Sequence, residues 1–343
     1  MPDSSITARN ALPEPLSFHT LFRADGRRGV AVGERTGRLW LLDVDPDARV
    51  SEANPLPITV PRSADGSDWN VRHISGSHAL DRLLLWSADE SPRVYDLPSG
   101  QVVAELGRIP GRAVCLSPDG RWVVCLGEER GGMMDLVAPE PAWRETTAFH
   151  VVQREMGGEW EQVYLDHVDG IVALPGEEDV QPDDAFWIAA GCYGFVSTHL
   201  VNVDRLRRQL YPCSGESREF GGFVYDPTEL LRQPGQHHVF VLHGYGTGLA
   251  AVDPVTGELH HCWVRGRGKQ PYGFFSGVVP CGTAPIAWAR CRDGDFLWRV
   301  GQRPVLMPKT PGSAIAVYPD ALLCLSHDGE ELLWCVLPRA ADG

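Results

Sequence analysis

The sequence predicts an all-β fold, a seven-bladed β-propeller with four-stranded blades, on three observations: a recurring strand–turn–strand unit, its spacing, and its turn chemistry. The unit is short, apolar and aromatic-rich: GVAVGERTGRLWLLDV from Gly29, RLLLWSADESPRVYDL from Arg82, RWVVCLGEERGGMMDLV from Arg121 and FWIAAGCYGFVSTHLVNV from Phe186. It returns as HVFVLHGYGTGLAAVD from His238, PIAWARCRDGDFLWRV from Pro285 and ALLCLSHDGEELLWCVL from Ala321. Seven units in 343 residues leave about 49 residues each, within the roughly 40–50 of a propeller blade with its loops. The pairs Ser99-Gly100, Asp119-Gly120, Thr256-Gly257 and Asp328-Gly329 supply the positive φ that tight hairpins need.

Each element follows from this frame. Strands covered on both faces by neighbouring sheets read as near-continuous apolar runs and do not alternate. The one helical window, residues 203–210 (VDRLRRQL), is too short for a helical layer and reads equally as the outer strand of the fourth unit. After the third strand of the last unit, which ends at Leu337, too few residues remain for a fourth. The β-capable segment 5–10 is therefore expected to close the last blade, which removes an open sheet edge. A single domain over residues 1–343 results.

Composition narrows the function. Hydrophobic residues are 43% and charged residues 22% of the chain, and no apolar run reaches the roughly 18 residues of a spanning helix. The first residues lack the cationic start and apolar core of a secretory signal, so a cytoplasmic protein is expected. A net charge of -14 and a pI of about 5.3 argue against nucleic-acid and membrane-surface partners. The nine cysteines form no C-x-x-C pair, and Cys115, Cys125, Cys324 and Cys335 sit in strand-like apolar runs, which suits free thiols in a reducing compartment. Lys269 and Lys309 are the only lysines, leaving few candidates for Schiff-base chemistry.

Two segments resemble known propeller repeats. Residues 115–127 (CLSPDGRWVVCLG) resemble the S-P-D-G turn of WD40 and related propellers, and residues 249–263 (LAAVDPVTGELHHCW) resemble the A-x-D-x-x-T-G-x-x-x-W repeat of quinoprotein-like propellers. No Trp-Asp dipeptide closes a unit, so the resemblance is to a divergent bacterial seven-bladed propeller. Such propellers occur as subunits of multicomponent bacterial systems, defence systems among them. The resemblance is one of fold; the disc-like architecture, with no specific catalytic motif, leads to the expectation of a non-catalytic protein-interaction scaffold inside a larger complex.

Candidate site residues fall in loops. The turns between second and third strands, at 34–37, 89–92, 128–132, 191–194, 243–248, 291–294 and 326–330, are expected to collect on one face around the channel. They bring His243, Tyr245, Arg292, Asp293, His327 and Asp328 to adjacent blades. Such a set is the alternative reading, a channel-mouth site that binds a small ligand or performs acid–base chemistry. Asp- and Gly-rich hairpin turns explain the same residues without it.

His237, His238, His243, His260, His261 and Cys262 cluster in the fifth unit. Neighbouring strand residues point to opposite faces, so each adjacent His pair offers at most one ligand, and no H-E-x-x-H spacing is present. No metal or cofactor is expected. The HGYGTG turn at 243–248 opens no helix that would hold a phosphate, and no G-x-S-x-G or Walker sequence appears.

Two long connections are the expected binding surface. Residues 154–169 (REMGGEWEQVYLDHVD) carry Trp160 and Tyr164 as apolar anchors. Residues 265–275 (RGRGKQPYGFF) combine Arg265, Arg267 and Lys269 with Tyr272, Phe274 and Phe275, a basic edge that an acidic protein partner reads.

Overall fold

The computed structural model describes residues 6–21, 27–62, 71–77, 82–87, 90–109, 113–117, 120–126, 131–146, 150–154, 160–164, 168–174, 186–191, 197–204, 209–212, 229–231, 238–243, 248–252, 259–263, 275–281, 284–291, 294–307 and 309–337. Among them every regular element is a strand.

Strand β1 (Ile6–Ala11) precedes the first sheet, which is β2 (Leu16–Leu21), β3 (Arg28–Gly33), β4 (Arg38–Asp45) and β5 (Val50–Thr59). The second is β6 (Val71–Gly76), β7 (Arg82–Ser87), β8 (Arg93–Asp96) and β9 (Val102–Glu105). The third is β10 (Ala113–Leu116), β11 (Trp122–Leu126), β12 (Gly131–Asp135) and β13 (Arg144–Thr146). A two-stranded hairpin, β14 (His150–Arg154) and β15 (Trp160–Tyr164), follows. The fourth sheet is β16 (Val168–Leu174), β17 (Phe186–Gly191), β18 (Ser197–Asp204) and β19 (Gln209–Pro212). The fifth is β20 (Glu229–Leu231), β21 (Val239–His243), β22 (Gly248–Val252) and β23 (Leu259–Trp263). The sixth is β24 (Phe275–Pro280), β25 (Ile286–Cys291), β26 (Gly294–Arg299) and β27 (Val305–Met307). In the last, β28 (Gly312–Val317), β29 (Ala321–Ser326) and β30 (Glu331–Val336) are joined by β1, which pairs antiparallel with β30.

All named pairings are antiparallel between consecutive strands except that of β1 with β30, which joins the two ends of the chain. The first strands β2, β6, β10, β16, β20, β24 and β28 lie beside one another in that order, and β28 lies beside β2. The described residues of the window at 203–210 are strand: Val203 pairs with Leu210 and Asp204 with Gln209 between β18 and β19. The β18–β19 pairing wins over the short helical periodicity, because so short a helix does not repay its nucleation.

The core lies between sheets, which is why the inner strands are apolar on both faces. Leu16, Ala31 and Leu42 of the first sheet pack on Ile315, Leu332 and Trp334 of the last. Val30, Leu39 and Ile58 on the opposite side meet Leu83 and Leu85 of the second sheet. Leu84 and Val94 then meet Val114, Val123 and Met134 of the third. Further round, Phe240 and Leu249 pack on Ala287 and Trp298, with Phe240 and Trp298 edge-to-face at 5.9 Å. Ile286, Trp288 and Leu297 cover Cys324, Leu333 and Cys335. Each such leucine contributes about 1.5–3 kcal/mol on burial.

The expected turn glycines take up their role. Gly100, Gly120 and Gly329 have φ of 67°, 70° and 71°, a left-handed conformation that a β-carbon disfavours. Gly257 lies outside the described residues. Cys115, Cys125, Cys262, Cys281, Cys291, Cys324 and Cys335 are buried and form no disulfide among the described residues. Among the described residues no helix is long and apolar enough to cross a membrane.

Candidate interaction surface

At two junctions between sheets a buried carboxylate ties the connection to the sheet beside it. Residues 12–15 run from β1 to β2, hence from the last sheet to the first. Their backbone is bonded to both: Leu12 N–H donates to the Glu330 carbonyl at 2.8 Å, Leu16 N–H to the Gly329 carbonyl at 3.0 Å, and Glu34 N–H to the Pro15 carbonyl at 2.9 Å. Glu14, only 7% exposed, accepts four hydrogen bonds from the first sheet. The Arg35 and Thr36 amides donate to Oε2, each at 3.2 Å, and the Thr36 hydroxyl and the Trp40 indole N–H donate to Oε1 at 2.7 and 3.0 Å. Burial raises the pKa of Glu14, but the hydrogen bonds from Thr36, Trp40 and the two amides outweigh it and hold the carboxyl below its ordinary range.

Asp295 does the same work between the sixth and last sheets. It is 2% exposed and takes Arg290 Nε at 3.0 Å on Oδ1, with the Thr310 amide at 2.8 Å and the Thr310 hydroxyl at 2.7 Å on Oδ2. Arg290 Nη2 also donates to the Gly312 carbonyl at 2.9 Å, and its guanidinium lies 5.1 Å from the Trp288 ring centroid. Burial again raises the carboxyl's pKa, and Arg290 and Thr310 more than reverse it. The outer surface at the first of these junctions is charged: Arg35 and Glu330, 67% and 58% exposed, stand 3.7 Å apart across the junction of first and last sheets.

Of the residues expected at the channel mouth, two are described in full. His327 and Asp328 are exposed in the turn at 326–330. Asp328 is committed to that turn: Ser326 Oγ donates to Oδ1 at 2.6 Å and the Glu330 amide at 3.2 Å. The Ser326 hydroxyl bond is the main cause that lowers its pKa. His243 is the last residue of β21, while its side chain, with Tyr245, Arg292 and Asp293, lies outside the described residues. Trp160 and Tyr164 are the two ends of β15, with side chains outside the description. Arg265, Arg267, Lys269, Tyr272 and Phe274 also lie outside it, as does Phe275's basic connection up to residue 274.

In the fifth sheet His238 and His260 come within 6.5 Å, ring to ring. Burial, then the neighbouring His260, lowers the pKa of His261, and burial pushes the Cys262 thiol up to about 12. Among the described residues no three His, Cys, Asp or Glu side chains gather as a metal site. Sequence reasoning passed over Glu14, Arg290 and Asp295. The only local signal for Glu14 is its place between Pro13 and Pro15, which hold the chain extended.

No family model matches the chain, and no curated protein does. Among solved structures it is similar to the crystal structure of the Myceliophteria thermophila Cps50 (Swd1) β-propeller domain. The TM-score is 0.55 at 14% identity, over 96% of this chain and 99% of that one. The likeness is one of fold: the chain is a β-propeller.

Proposed function

We propose that the chain is a non-catalytic protein-interaction scaffold, a cytoplasmic subunit of a larger complex, built as a seven-bladed ring that β1 closes. The closed order of first strands and the β1–β30 pairing support the ring. The observation that carries the function is the pair of fixed junctions: Glu14 and Asp295 lock consecutive inter-sheet loops from within, while charged side chains such as Arg35 and Glu330 stay outside. Loops already ordered lose little entropy on binding, which is what a recognition surface needs.

The anchors on this surface are Trp160 and Tyr164, and the basic connection with Arg265, Arg267 and Lys269 is the edge that an acidic partner reads. The full chain, used as bait, captures its partners; Ala at Trp160 and Tyr164 costs on the order of 2 kcal/mol in partner affinity, and charge reversal at Arg265 and Arg267 mainly slows association. Recovery of the same partners at wild-type levels by both sets of variants moves the interface to the opposite face. A catalytic turnover that His243→Ala abolishes, with partner binding intact, replaces the scaffold with the channel-mouth enzyme.

A further inference from the structure

We infer that residues 137–142, in the connection from β12 to β13, are a pinned recognition loop that enters an aromatic-lined groove of a partner protein, with Glu140 against a cation there. The inference rests on the scaffold reading. The third-to-fourth-strand connection spans eight residues in the third sheet, 136–143, against four to six in the first, second, fourth, fifth and sixth sheets. Short connections turn tightly by ordinary turn chemistry: Gly100 and Gly301 have φ of 67° and 80°, and Asp45 Oδ1 accepts the Asp47 and Ala48 amides at 3.0 and 3.2 Å. The long one has no glycine and reads Leu-Val-Ala-Pro-Glu-Pro-Ala-Trp.

Both of its ends are held. Asp135, 6% exposed, accepts the Val137 amide on Oδ1 at 3.1 Å and is itself gripped by Arg121, Nε on Oδ1 at 3.1 Å and Nη2 on Oδ2 at 2.9 Å. Leu136 and Trp143 both pack into the core between the second and third sheets. The Trp143 indole N–H donates to the Leu106 carbonyl, in the connection leaving the second sheet, at 2.7 Å. Between these anchors Val137 is 58% exposed, and Pro139, Glu140, Pro141 and Ala142 are exposed as well. The fold thus fixes the ends of the loop and holds a run of apolar groups out in water.

The chemistry of the run selects its partner. Pyrrolidine rings and methyl groups pack on aromatic faces, the usual way in which proline-bearing segments are recognised. Proline's fixed φ and the pinned ends leave little entropy to lose on docking. Glu140 is the one charged side chain from 136 to 143, and among the described residues it meets no cation. A lysine or arginine at the edge of the partner's groove answers it. A nucleic acid or an anionic lipid surface finds no cation in the run to hold it.

The full chain is immobilised and incubated with a cell lysate, and bound protein is eluted with synthetic peptides of residues 135–144. One peptide is closed into a ring to mimic the pinned ends, one is linear, and one is a ring of scrambled sequence. Two further rings carry Pro139→Gly with Pro141→Gly, or Glu140→Lys. The native ring elutes bound protein and the scrambled ring does not. The linear and glycine peptides need about tenfold more, because the ordering cost returns, and the Glu140→Lys ring is weaker by about tenfold. In the full chain, Val137→Ser and Glu140→Lys each cut capture of the same protein about tenfold, while the urea midpoint holds because both side chains lie in solvent. Should either variant unfold early, Glu140→Gln gives the same reading with a smaller change. Elution by native and scrambled rings alike, or capture that ignores the substitutions at 137 and 140, overturns the loop. Capture that nuclease treatment abolishes overturns the protein partner. If the loop variants keep the capture that the Trp160 and Tyr164 variants lose, this inference fails alone; a wild-type chain that captures nothing sinks it together with the scaffold reading.

Discussion

The Glu14 carboxylate accepts the indole N–H of Trp40 at 3.0 Å, although Glu14 belongs to the connection leaving the last sheet and Trp40 to the third strand of the first. The contact crosses the junction where the two ends of the chain meet. A β-carbon at Gly33 would stand 2.3 Å from Glu14 Oε1, so any side chain there has to push the carboxylate aside.

Gly33→Ala and Glu14→Ala are therefore coupled. Glu14→Ala leaves two amides, a hydroxyl and an indole N–H short of their acceptor and costs about 2 kcal/mol. Gly33→Ala displaces the same carboxylate from the same donors and costs a similar amount. Together they cost clearly less than the two separately, because the alanine at 14 removes the clash; urea unfolding of the four proteins measures the coupling. Strict additivity would mean that the carboxylate is not what Gly33 accommodates.

His73 sets the acid side of the stability curve. Burial pushes its imidazole from the ordinary 6.5 down to about 4, and among the described residues Nε2 has no hydrogen-bond partner. The unfolded chain therefore takes up a proton near 6.5 that the folded chain refuses until about 4. Stability is full above that window and falls as the pH drops through it, by up to about 3 kcal/mol. His261, also lowered, acts with the same sign, so the comparison is between wild type and His73→Phe, whose unfolding midpoint varies less across the window.

The strand pattern was legible because coverage on both faces forces apolar runs such as Val30–Ala31–Val32 and Leu83–Leu84–Leu85, and because Gly100, Gly120 and Gly329 mark the turns. The hairpin of β14 and β15 was not legible as strands. Its residues alternate polar and apolar too loosely to show a covered face, so the segment read as a connection. Glu14 was illegible for another reason: it is defined by donors that folding brings from the neighbouring sheet, and an isolated carboxylate in a connection has no sequence signature; Asp295 faces Arg290 across the β25–β26 pair, but its second donor, Thr310, lies in the connection that follows the sheet. Of the mouth residues, Asp328 illustrates the ambiguity of turn chemistry, since the same Asp-Gly that suggested a site caps its own turn.

Asp295→Asn weakens the junction of the sixth and last sheets. The amide cannot balance the charge of Arg290, and one of its two terminal atoms is a donor facing donors. Breaking one side of a buried pair costs about 3–5 kcal/mol, read as a fall in the urea midpoint. Gly312→Ala is more severe, as its β-carbon would stand 1.9 Å from the Leu325 carbonyl oxygen, a backbone atom that cannot turn away. Soluble, wild-type-stable Gly312→Ala protein would refute this packing.

The thiols should be silent in the folded protein. Cys262 is held protonated up to about 12, by burial first and by Cys291 second. In the last sheet, the hydrogen bond between Cys324 and Cys335 is the main cause that raises the former's pKa and lowers the latter's. The thiolate is the reactive form, and burial shuts reagents away even from Cys335, whose pKa is lowered, so a maleimide or disulfide reagent should modify the buried cysteines only after urea is added, and mass measurement without reductant should find no disulfide. Rapid labelling of Cys262 in the native protein would contradict its environment.

Deletion of residues 1–12 tests the closure most directly. The strand it removes, β1, pairs with β30 from Ile6 opposite Cys335 to Ala11 opposite Glu331. Asn10 Oδ1 accepts the Trp334 indole N–H at 3.2 Å, and Arg9 reaches Glu331 at 2.8 Å. Ile6 and Ala8 pack on the two clusters that flank the last sheet. Losing them exposes the β30 edge and the apolar surface beneath it, and orphans the indole of Trp334, so the deletion should destabilise the chain by several kcal/mol. A synthetic peptide of residues 1–12, added in excess, should restore much of the melting temperature by re-forming the pairing. Asn10→Ala alone should cost about 1 kcal/mol. If the truncated chain melts where the full one does, β1 is an ornament of the last sheet, and the proposed closure fails.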